Sequence, residues 1–551
     1  MGCRSGLGTR GSGLEARNSR LAARGSWFAA RGSLLVTVLV VAPFAPAASM
    51  AQTAPSSSTT GTCESLTALS MPNVTITIAQ SVPAGSFTTP FNQTLINLPA
   101  FCRIAAMLRP SSDSAIKIEV WLPTSSPRVA LPTATQGGSA WNGKLLAVGN
   151  GGWAGSIPYP ALANALRRGY AATATDTGHE GNGGAFALGH PEKLIDYAYR
   201  SEHEMTVAAK VIVGAFYGTT PLRSYWNGCS TGGRQALVEA TRYPDDFDGI
   251  IAGAAANPKT LLDAWRMWMA QVAMKDQADR ILPSQYPLIH KAVLAQCDAI
   301  DGVRDGLIED PLKCRFDPKA IVCKSTDDLS SEDTCLTPRQ AMSARALLGG
   351  VKTPKGKEIF PGYAPGSELG WGLLMAGPEP YSVPLDQYRY IVFNNPKWDW
   401  RTFDLERDLA AAEKAGAGTL SAVSTDLSAF TQHGGKLLMY HGWADQDVPP
   451  LASINYFNSV QPKSAQESVR LFMVPGMNHC TGGEGPNTFD VVAALEQWVE
   501  RQKAPTRILA SHSNLADGKI DRTRPLCAYP QTAHYRGRGN INDAESFVCG
   551  K

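Results

Sequence analysis

The sequence predicts an α/β fold in which helices cover a largely parallel β-sheet, with a large insertion after the first part of that sheet. Two observations support this prediction. Continuous apolar runs alternate with helical patterns, and the motif Gly228-Cys229-Ser230-Thr231-Gly232 lies between one apolar run and the helix that follows it. Strands that alternate with helices are typical of parallel sheets covered on both faces. The 551 residues suffice for one large domain with an insertion or for two domains.

The predicted strands of the first half are of two kinds. Residues 116–122 alternate apolar and polar side chains, as a half-buried strand does. Three later runs are more continuously apolar, and each ends in a glycine-rich or polar turn. These runs are Lys144–Val148, Tyr170–Thr175 and Arg223–Trp226. Helical patterns follow at Glu202–Phe216 and Arg234–Tyr243.

The same pattern returns near the end of the chain, at Lys436–Tyr440, Val469–Val474 and an amphipathic helix over Phe489–Gln502. The segment between these two halves is rich in Trp, Pro, Gly and Cys, with short helical pieces and few strand signals. We therefore expect an α/β core in two parts, residues 52–256 and 426–551, with a lid inserted over residues 257–425.

The first 51 residues predict a cleaved export signal. Six arginines stand against one glutamate and precede the apolar run Leu34–Pro46 and the small residues Ala47–Ala51. A membrane span needs about 20 apolar residues, and this run is shorter and contains Pro43 and Pro46. We expect a secreted or periplasmic protein with no membrane partner.

Charge and cysteine content support that interpretation. Without the predicted signal, 51 basic and 48 acidic residues become 45 and 47, so the net charge of +3 becomes −2. No stretch rich in Lys and Arg remains that would favour nucleic acid. Eleven cysteines become ten once Cys3 is removed, and an even count in an exported chain favours five disulfides.

Ser230 is the predicted nucleophile. Its Gly-x-Ser-x-Gly motif follows an apolar strand and precedes a helix, which is the position of the nucleophile in α/β-hydrolases. The glycines permit a sharp turn that lifts the hydroxyl above the sheet, and the helix N-terminus favours developing negative charge. The alternative is an ordinary glycine-rich turn.

In this architecture the acid and then the histidine follow the serine along the chain. His479 is the predicted base, because it lies just beyond a late apolar strand. Asp445, which follows the preceding strand end, is the predicted acid. Asp447 is the competing candidate for the acid; the alternative for it is a solvated carboxylate in the loop. His441 precedes the acid in the chain, and we expect it to be a structural partner.

Backbone N–H groups must stabilise the oxyanion of an acyl-transfer reaction. We expect one from Thr231 and the second from Gly152 in the glycine-rich loop Gly149–Trp153, which is otherwise a plain turn. A bond between Cys229 and Cys480 would bring Ser230 and His479 together.

These motifs resemble the tannase and feruloyl esterase family, which also contains the hydrolase of mono(2-hydroxyethyl) terephthalate. The resemblance extends over nearly all of the chain after residue 51, and the Cys-Ser and His-Cys couple is highly specific to the family. The matching segments are Gly149–Gly155, Asp176–His179, Arg200–Thr206, Gly228–Gly233, Cys297–Cys314, His441–Asp445 and His479–Cys480.

The resemblance implies an α/β-hydrolase core with a lid after the nucleophile region, a Ser/Asp/His triad and five disulfides. The implied pairs are Cys229–Cys480, Cys63–Cys102, Cys297–Cys314, Cys323–Cys335 and Cys527–Cys549.

A structural calcium ion is also expected in the lid. Residues 298–307 gather three carboxylates among tight turns, and hard oxygen donors at this density suit Ca²⁺. The family resemblance implies a calcium ion in the lid at this spacing of carboxylates. The alternative is an Asp/Gly turn that binds no metal. The expected ligands are the side chains of Asp298, Asp301 and Asp305 and the carbonyls of Val303 and Leu307.

The expected function is that of a secreted serine carboxylesterase acting on esters of hydroxycinnamic or hydroxybenzoic acids. Feruloyl esters are expected first, galloyl esters second and mono(2-hydroxyethyl) terephthalate third. Esters attached to plant polysaccharide or polyphenol are among the expected substrates. Most of the many lid aromatics are expected in the core. Arg389 and Arg401 are candidates for holding a substrate carboxylate. The alternatives are a serine peptidase and a non-catalytic polyphenol- or carbohydrate-binding protein on an esterase scaffold.

Overall fold

The computed structural model describes residues 62–124, 141–324, 334–353, 355–416, 418–514 and 517–551. The predicted export signal lies outside these residues. The strands are β1 (Val74–Val82), β2 (Gly85–Thr88), β3 (Thr94–Leu98), β4 (Phe101–Leu108), β5 (Ile116–Pro123), β6 (Lys144–Val148), β7 (Ala171–Thr175), β8 (Arg223–Cys229), β9 (Gly249–Gly253), β10 (Val351–Lys352), β11 (Glu358–Phe360), β12 (Lys436–Gly442), β13 (Val469–Val474), β14 (Thr488–Phe489), β15 (Arg507–Ser513), β16 (Ile520–Cys527), β17 (Thr532–Tyr535) and β18 (Phe547–Gly550).

The helices lie between and around these strands. They are α1 (Tyr159–Arg167), α2 (Pro191–Ile195), α3 (Ser201–Tyr217), α4 (Thr231–Arg242), α5 (Lys259–Ala273), α6 (Tyr286–Cys297), α7 (Pro338–Gly349), α8 (Gly372–Met375), α9 (Ser382–Asp386), α10 (Leu405–Gly416), α11 (Ser428–Gln432), α12 (Leu451–Ser459) and α13 (Val491–Arg501). None of the helices in the described ranges combines the length and apolarity needed to cross a lipid bilayer.

A nine-stranded sheet in the order β1-β4-β5-β7-β6-β8-β9-β12-β13 forms the centre of the fold. The strands from β7 to β13 in this order pair in parallel. The three pairs at the other end are antiparallel. The predicted α/β-hydrolase type of fold is therefore confirmed. Because parallel strands end at the same edge, the loops after β6, β8, β12 and β13 meet there.

Helices cover both faces of this sheet. On β12, Leu437 and Met439 pack into one apolar cluster, while Leu438 and Tyr440 pack into the other. Helices α3 and α4 contribute to the first cluster, and α1 and α13 contribute to the second. Burial on both faces explains why these strands are continuously apolar in the sequence.

The chain between β9 and β12 forms helices α5–α11 and the short ribbon β10–β11. Its apolar cluster includes Trp265 and Trp371, and it continues into Val448 and Ala452, which follow β12. The segment predicted as a lid is thus packed against the loop that carries the predicted acid. The division into core and lid at residues 257 and 425 stays a prediction.

The structure contains the strands predicted from the sequence and several that were not predicted. The predicted strands and long helices are present within a few residues of their expected ends. The sequence did not predict β1, β4, β9 or the C-terminal antiparallel strands β14–β18. β9 contains two glycines in five residues, and one of them is needed because a Cβ on Gly253 would lie 2.2 Å from the Tyr440 ring.

Candidate active site

Ser230 lies in a strained turn between β8 and α4. Its backbone has φ 62° and ψ −121°, which non-glycine residues rarely adopt. The Ser230 N–H donates to the Gly253 carbonyl at 3.0 Å and holds the turn in place. The first motif glycine is required, because a Cβ on Gly228 would lie 2.4 Å from the Gly232 carbonyl oxygen. This is the geometry expected of a nucleophile turn.

Asp445 and His479 form a hydrogen-bonded pair at the same edge of the sheet. His479 Nδ1 donates to Asp445 Oδ2 at 2.8 Å. The other oxygen, Oδ1, accepts the N–H groups of Asp447 and Val448 at 2.8 Å each. The His479 N–H in turn donates to Gln446 Oε1 at 3.1 Å. The acid and the base predicted from the sequence are thus brought together and held by their own loops.

A second histidine shares the acid. His441 Nε2 lies 3.0 Å from Asp445 Oδ2 and 2.9 Å from the Val448 carbonyl, while Nδ1 lies 2.8 Å from the Ser453 hydroxyl. Since both partners of Nε2 are acceptors, we assign the proton to Nε2, and the Ser453 hydroxyl donates to Nδ1. His441 therefore orients Asp445 from behind, in agreement with the structural role expected of it.

Asp445 and His479 shift each other's pKa. Burial favours neutral Asp445, but the charge of His479 and the hydrogen bonds from His441 and His479 outweigh it and hold the pKa of Asp445 well below its usual range. Burial by itself lowers the pKa of His479, but the charges of Asp445 and Asp447 outweigh it and raise that pKa to about 9. The arrangement therefore favours an ionised acid and a strongly basic imidazole.

Ser230 and His479 are joined through their neighbours. Cys229 and Cys480 form a disulfide with a Cα–Cα distance of 6.0 Å. Among the described residues, His479 Nε2 has no hydrogen-bond partner, so the hydrogen bond to the Ser230 hydroxyl is not made. Such bonds are often long before substrate binds and tighten in the complex. The nucleophilic role of Ser230 stays a prediction at this point.

The predicted oxyanion donors lie on two segments in mutual contact. The Thr231 hydroxyl and the Tyr197 hydroxyl both donate to the Gly152 carbonyl, at 2.9 Å and 2.8 Å. The Ala154 N–H donates to the Gly151 carbonyl at 2.9 Å, so the Gly152 N–H of the same peptide faces the opposite way. Tyr197 lies in a π-helical segment between α2 and α3. The oxyanion role of Thr231 and Gly152 stays a prediction.

The sequence analysis missed an ionic group beside the Asp445–His479 pair. Arg266 on α5 contacts the Asp447 carboxylate at 2.5 Å, and it contacts Asp263 on its own helix at 2.8 Å. The side chain of Asp447 is only 7% exposed, so the alternative of a solvated loop carboxylate is wrong. The i, i+3 spacing of Asp263 and Arg266 is visible in the sequence, but no local signal relates it to Asp447.

The other four disulfides join the pairs that the family resemblance implies. These are Cys63–Cys102, Cys297–Cys314, Cys323–Cys335 and Cys527–Cys549.

The predicted calcium loop folds back on its own carboxylates. Asp298 accepts the N–H groups of Asp305 and Gly306 at 3.1 and 3.2 Å. Arg524 from β16 forms a buried ion pair with Asp305. Burial, with the charges of Asp305 and Asp298, raises the pKa of Asp301 to about 6. In the described ranges, no three His, Cys, Asp or Glu side chains are grouped closely enough to hold a metal.

The donor types of this loop suit a hard cation, but the carboxylates are not gathered into a closed cage. The predicted ligand set of Asp298, Asp301, Asp305, Val303 and Leu307 stays a prediction.

The two arginines considered for a substrate carboxylate have partners within the insertion. Arg389 donates to the Trp398 carbonyl at 3.4 Å and lies 3.5 Å from Glu379. Arg401 is exposed and pairs with Asp399 at 3.2 Å. Most of the insertion's aromatic side chains are buried, as expected. The buried ones include Trp265, Trp371, Tyr388, Trp398 and Trp400.

Comparison with known proteins gives a consistent result. The family model described as tannase and feruloyl esterase matches residues 102–380 and 382–550. An uncharacterized esterase of Xanthomonas campestris is 37% identical, and the match covers 89% of this chain and 92% of that protein. A probable feruloyl esterase B-2 of Aspergillus oryzae is 34% identical, and that match covers 87% of this chain and 93% of that protein.

A solved structure gives the same picture. The crystal structure of feruloyl esterase B from Aspergillus oryzae superposes with a TM-score of 0.82 at 31% identity, and the match covers 89% of this chain and 99% of that one. The resemblance noted in the sequence is therefore confirmed over almost the whole described fold.

Proposed function

Since this chain belongs to the tannase and feruloyl esterase family and is a carboxylic ester hydrolase, we propose that it releases hydroxycinnamic acids from their esters, with feruloyl esters preferred. The observation that carries this proposal is the Asp445–His479 pair, which the Cys229–Cys480 disulfide joins to the strained turn of Ser230. The feruloyl preference draws on the relatives named above.

The reaction is acyl transfer in two steps. His479 takes the proton of the Ser230 hydroxyl, whose oxygen attacks the ester carbonyl, and the N–H groups of Thr231 and Gly152 stabilise the oxyanion. His479 then gives the proton to the leaving alcohol. In the second step His479 activates a water molecule, which releases the aromatic acid from Ser230. Asp445 keeps the His479 tautomer that presents Nε2 to the serine.

The surroundings of the Gly152 loop suit an aromatic acyl group. Helix α9 lies against this loop: the Trp153 indole N–H donates to the Val383 carbonyl at 2.9 Å. A Cβ on Gly152 would lie 3.8 Å from the Val383 side chain. Tyr381, half-buried beside α9, lies with its ring 5.6 Å from the Arg266 guanidinium. A valine and a tyrosine side chain near this loop would offer a planar acyl group apolar and aromatic contacts.

Hydrolysis of a panel of esters tests the proposal. Methyl ferulate, methyl gallate and mono(2-hydroxyethyl) terephthalate are offered to the oxidised protein and to Ser230→Ala. We expect the highest kcat/KM with methyl ferulate and a loss of about a thousandfold or more in the variant. A preference for the gallate would indicate a tannase, and a preference for the terephthalate would indicate a mono(2-hydroxyethyl) terephthalate hydrolase. If no ester were cleaved by folded protein, a binding function would be favoured.

We also propose that the enzyme acts outside the cytoplasm, on feruloyl groups carried by plant polysaccharide or polyphenol. Five disulfides suit an oxidising compartment, and residues 1–51 have the pattern of an export signal. N-terminal sequencing of the protein recovered from the culture medium or periplasm tests this proposal, with cleavage expected near Ala51.

A structural calcium ion is a separate proposal, supported by the oxygen donors of Asp298, Asp301 and Asp305 and of the Val303 and Leu307 carbonyls. The ion would take no part in the reaction. At a calcium concentration one hundred times Kd, binding adds about 2.7 kcal/mol to the free energy of unfolding. Thermal unfolding with EDTA, Ca²⁺ or Mg²⁺ measures this. We expect Ca²⁺ alone to raise Tm, and Asp301→Asn to abolish the rise. An equal Tm in all three media would exclude the site.

A further inference from the structure

A buried row of four charged side chains ends at the catalytic histidine. Lys259 lies 2.6 Å from Asp263, Asp263 lies 2.8 Å from Arg266, and Arg266 lies 2.5 Å from Asp447. Asp447 Oδ2 then lies 3.5 Å from His479 Nε2. The side chains of the first four residues are at most 7% exposed. Charges buried to this degree act strongly on one another, because little water screens them.

The signs of these charges alternate along the row, so the four balance. Three charged groups act directly on His479: Asp445 and Asp447 from the loop after β12, and Arg266 from α5. Asp445 contacts Nδ1, which is the nitrogen that orients the base. Asp447 lies on the side of Nε2, the nitrogen that must accept the proton of Ser230. A free carboxylate at that position would hold the imidazole in its protonated form, in which it is not a base.

Arg266 is placed to restrain that carboxylate. Its Nη2 donates to Asp447 Oδ1 at 2.5 Å and to the Asp447 carbonyl at 3.2 Å, and its Nε donates to the same carbonyl at 3.3 Å. A planar guanidinium that grips both the side chain and the backbone of one residue fixes its rotamer, which an ammonium group does less well. The pair therefore limits both the charge and the approach of Asp447 to His479.

We propose that Arg266 is a positioning residue of the reaction, which sets the protonation of His479 by holding Asp447 in a buried ion pair. The proposal rests on the triad of the proposed function. Helix α5 of the insertion thereby influences His479, which lies in the core. Lys259 and Asp263 hold Arg266 on the side away from Asp447. The pKa of His479 agrees with this arrangement, because Asp447 raises it and Arg266 lowers it.

The acid limb of the pH profile of kcat/KM tests the proposal, because the free base is required and activity rises as His479 loses its proton. In Arg266→Gln the unpaired Asp447 raises the pKa of His479, so the limb moves up by about one pH unit or more. In Asp447→Asn the limb moves down. The double variant, which leaves an uncharged pair, lies between the two single variants. Arg266→Lys keeps the charge but loses part of the hold on Asp447, so its limb lies between those of wild type and Arg266→Gln.

Two controls separate this effect from loss of structure. Arg339→Gln removes an arginine from an exposed ion pair with Asp276 and Asp279 and leaves the limb in place. If Arg266→Gln does not fold, Arg266→Lys, which keeps a charge but loses the bidentate hold on Asp447, gives the same test, with a smaller upward shift expected. A limb that stays in place, or that moves the same way in Arg266→Gln and Asp447→Asn, overturns the proposal.

Titration of the His479 imidazole by NMR in Ser230→Ala measures the same shifts without activity. If the wild type cleaved no ester but the Arg266 and Asp447 variants shifted the pKa of His479 as predicted, only the proposed function would be contradicted. If the wild type were active but these variants left the pKa of His479 unchanged, only the role of Arg266 would be contradicted.

Discussion

Asp445→Asn is expected to lower kcat/KM by about four orders of magnitude while the protein stays folded. Asp445 Oδ2 accepts hydrogen bonds from both His479 and His441. An asparagine oxygen is a weaker acceptor and carries no charge to stabilise the imidazolium. If the amide NH₂ faces the histidines instead, His479 must take the tautomer that presents a protonated Nε2 to Ser230 and cannot act as the base.

Steady-state kinetics with methyl ferulate, beside thermal unfolding, measure this prediction. Asp521→Asn is a matched control, because Asp521 also pairs with a histidine, His512, at 2.7 Å, but is exposed on β16. The control is expected to keep its activity within about twofold, as surface pairs contribute little. A drop in Asp445→Asn of less than tenfold would make Asp447 the better candidate for the acid.

Removal of the Cys229–Cys480 disulfide, with both cysteines changed to serine, is expected to lower both stability and activity. The bond joins residues 251 positions apart in the sequence. On the chain-entropy account, a loop of this length contributes about 5.5 kcal/mol to the free energy of unfolding. Without it, the turn of Ser230 and the loop of His479 lose the covalent bond between their neighbouring residues. A misplacement of about 1 Å between reacting groups costs about a hundredfold in rate.

Urea unfolding and kcat/KM measured on the same preparation test this prediction. Cys323→Ser with Cys335→Ser is the matched control, since that bond closes 12 positions within the insertion. Its loss is expected to cost about 2 to 3 kcal/mol less than loss of Cys229–Cys480, with activity retained. If both double variants lost activity equally, the bond beside Ser230 would have no special role in positioning.

The central sheet was largely predictable because its strands are buried on both faces. Runs such as Lys144–Val148 and Val469–Val474 are apolar throughout, and each is followed by a turn and then by helical pattern. The half-exposed strand β1 and the glycine-containing β9 carry weaker patterns. Their pairing depends on strands remote in sequence, and a single sequence read by local periodicity does not reveal such partners.

The triad candidates were predictable for a different reason. Ser230, Asp445 and His479 each follow a strand end, and the order along the chain restricts the choice. Arg266 was not predictable, because its partner Asp447 lies 181 positions away. His441, by contrast, lies only four positions before Asp445, and a structural role was expected of it. The contact between Arg266 and Asp447 arises only when the insertion folds onto the core.

The disulfide between Cys229 and Cys480 has a consequence for limited proteolysis. Every peptide bond of the insertion lies between these two cysteines in the sequence. A protease that cut once within the insertion would therefore produce two peptides that migrate as one species until a reductant is added. The serine turn would stay on the amino-terminal peptide and the histidine on the carboxy-terminal one, still tethered side by side.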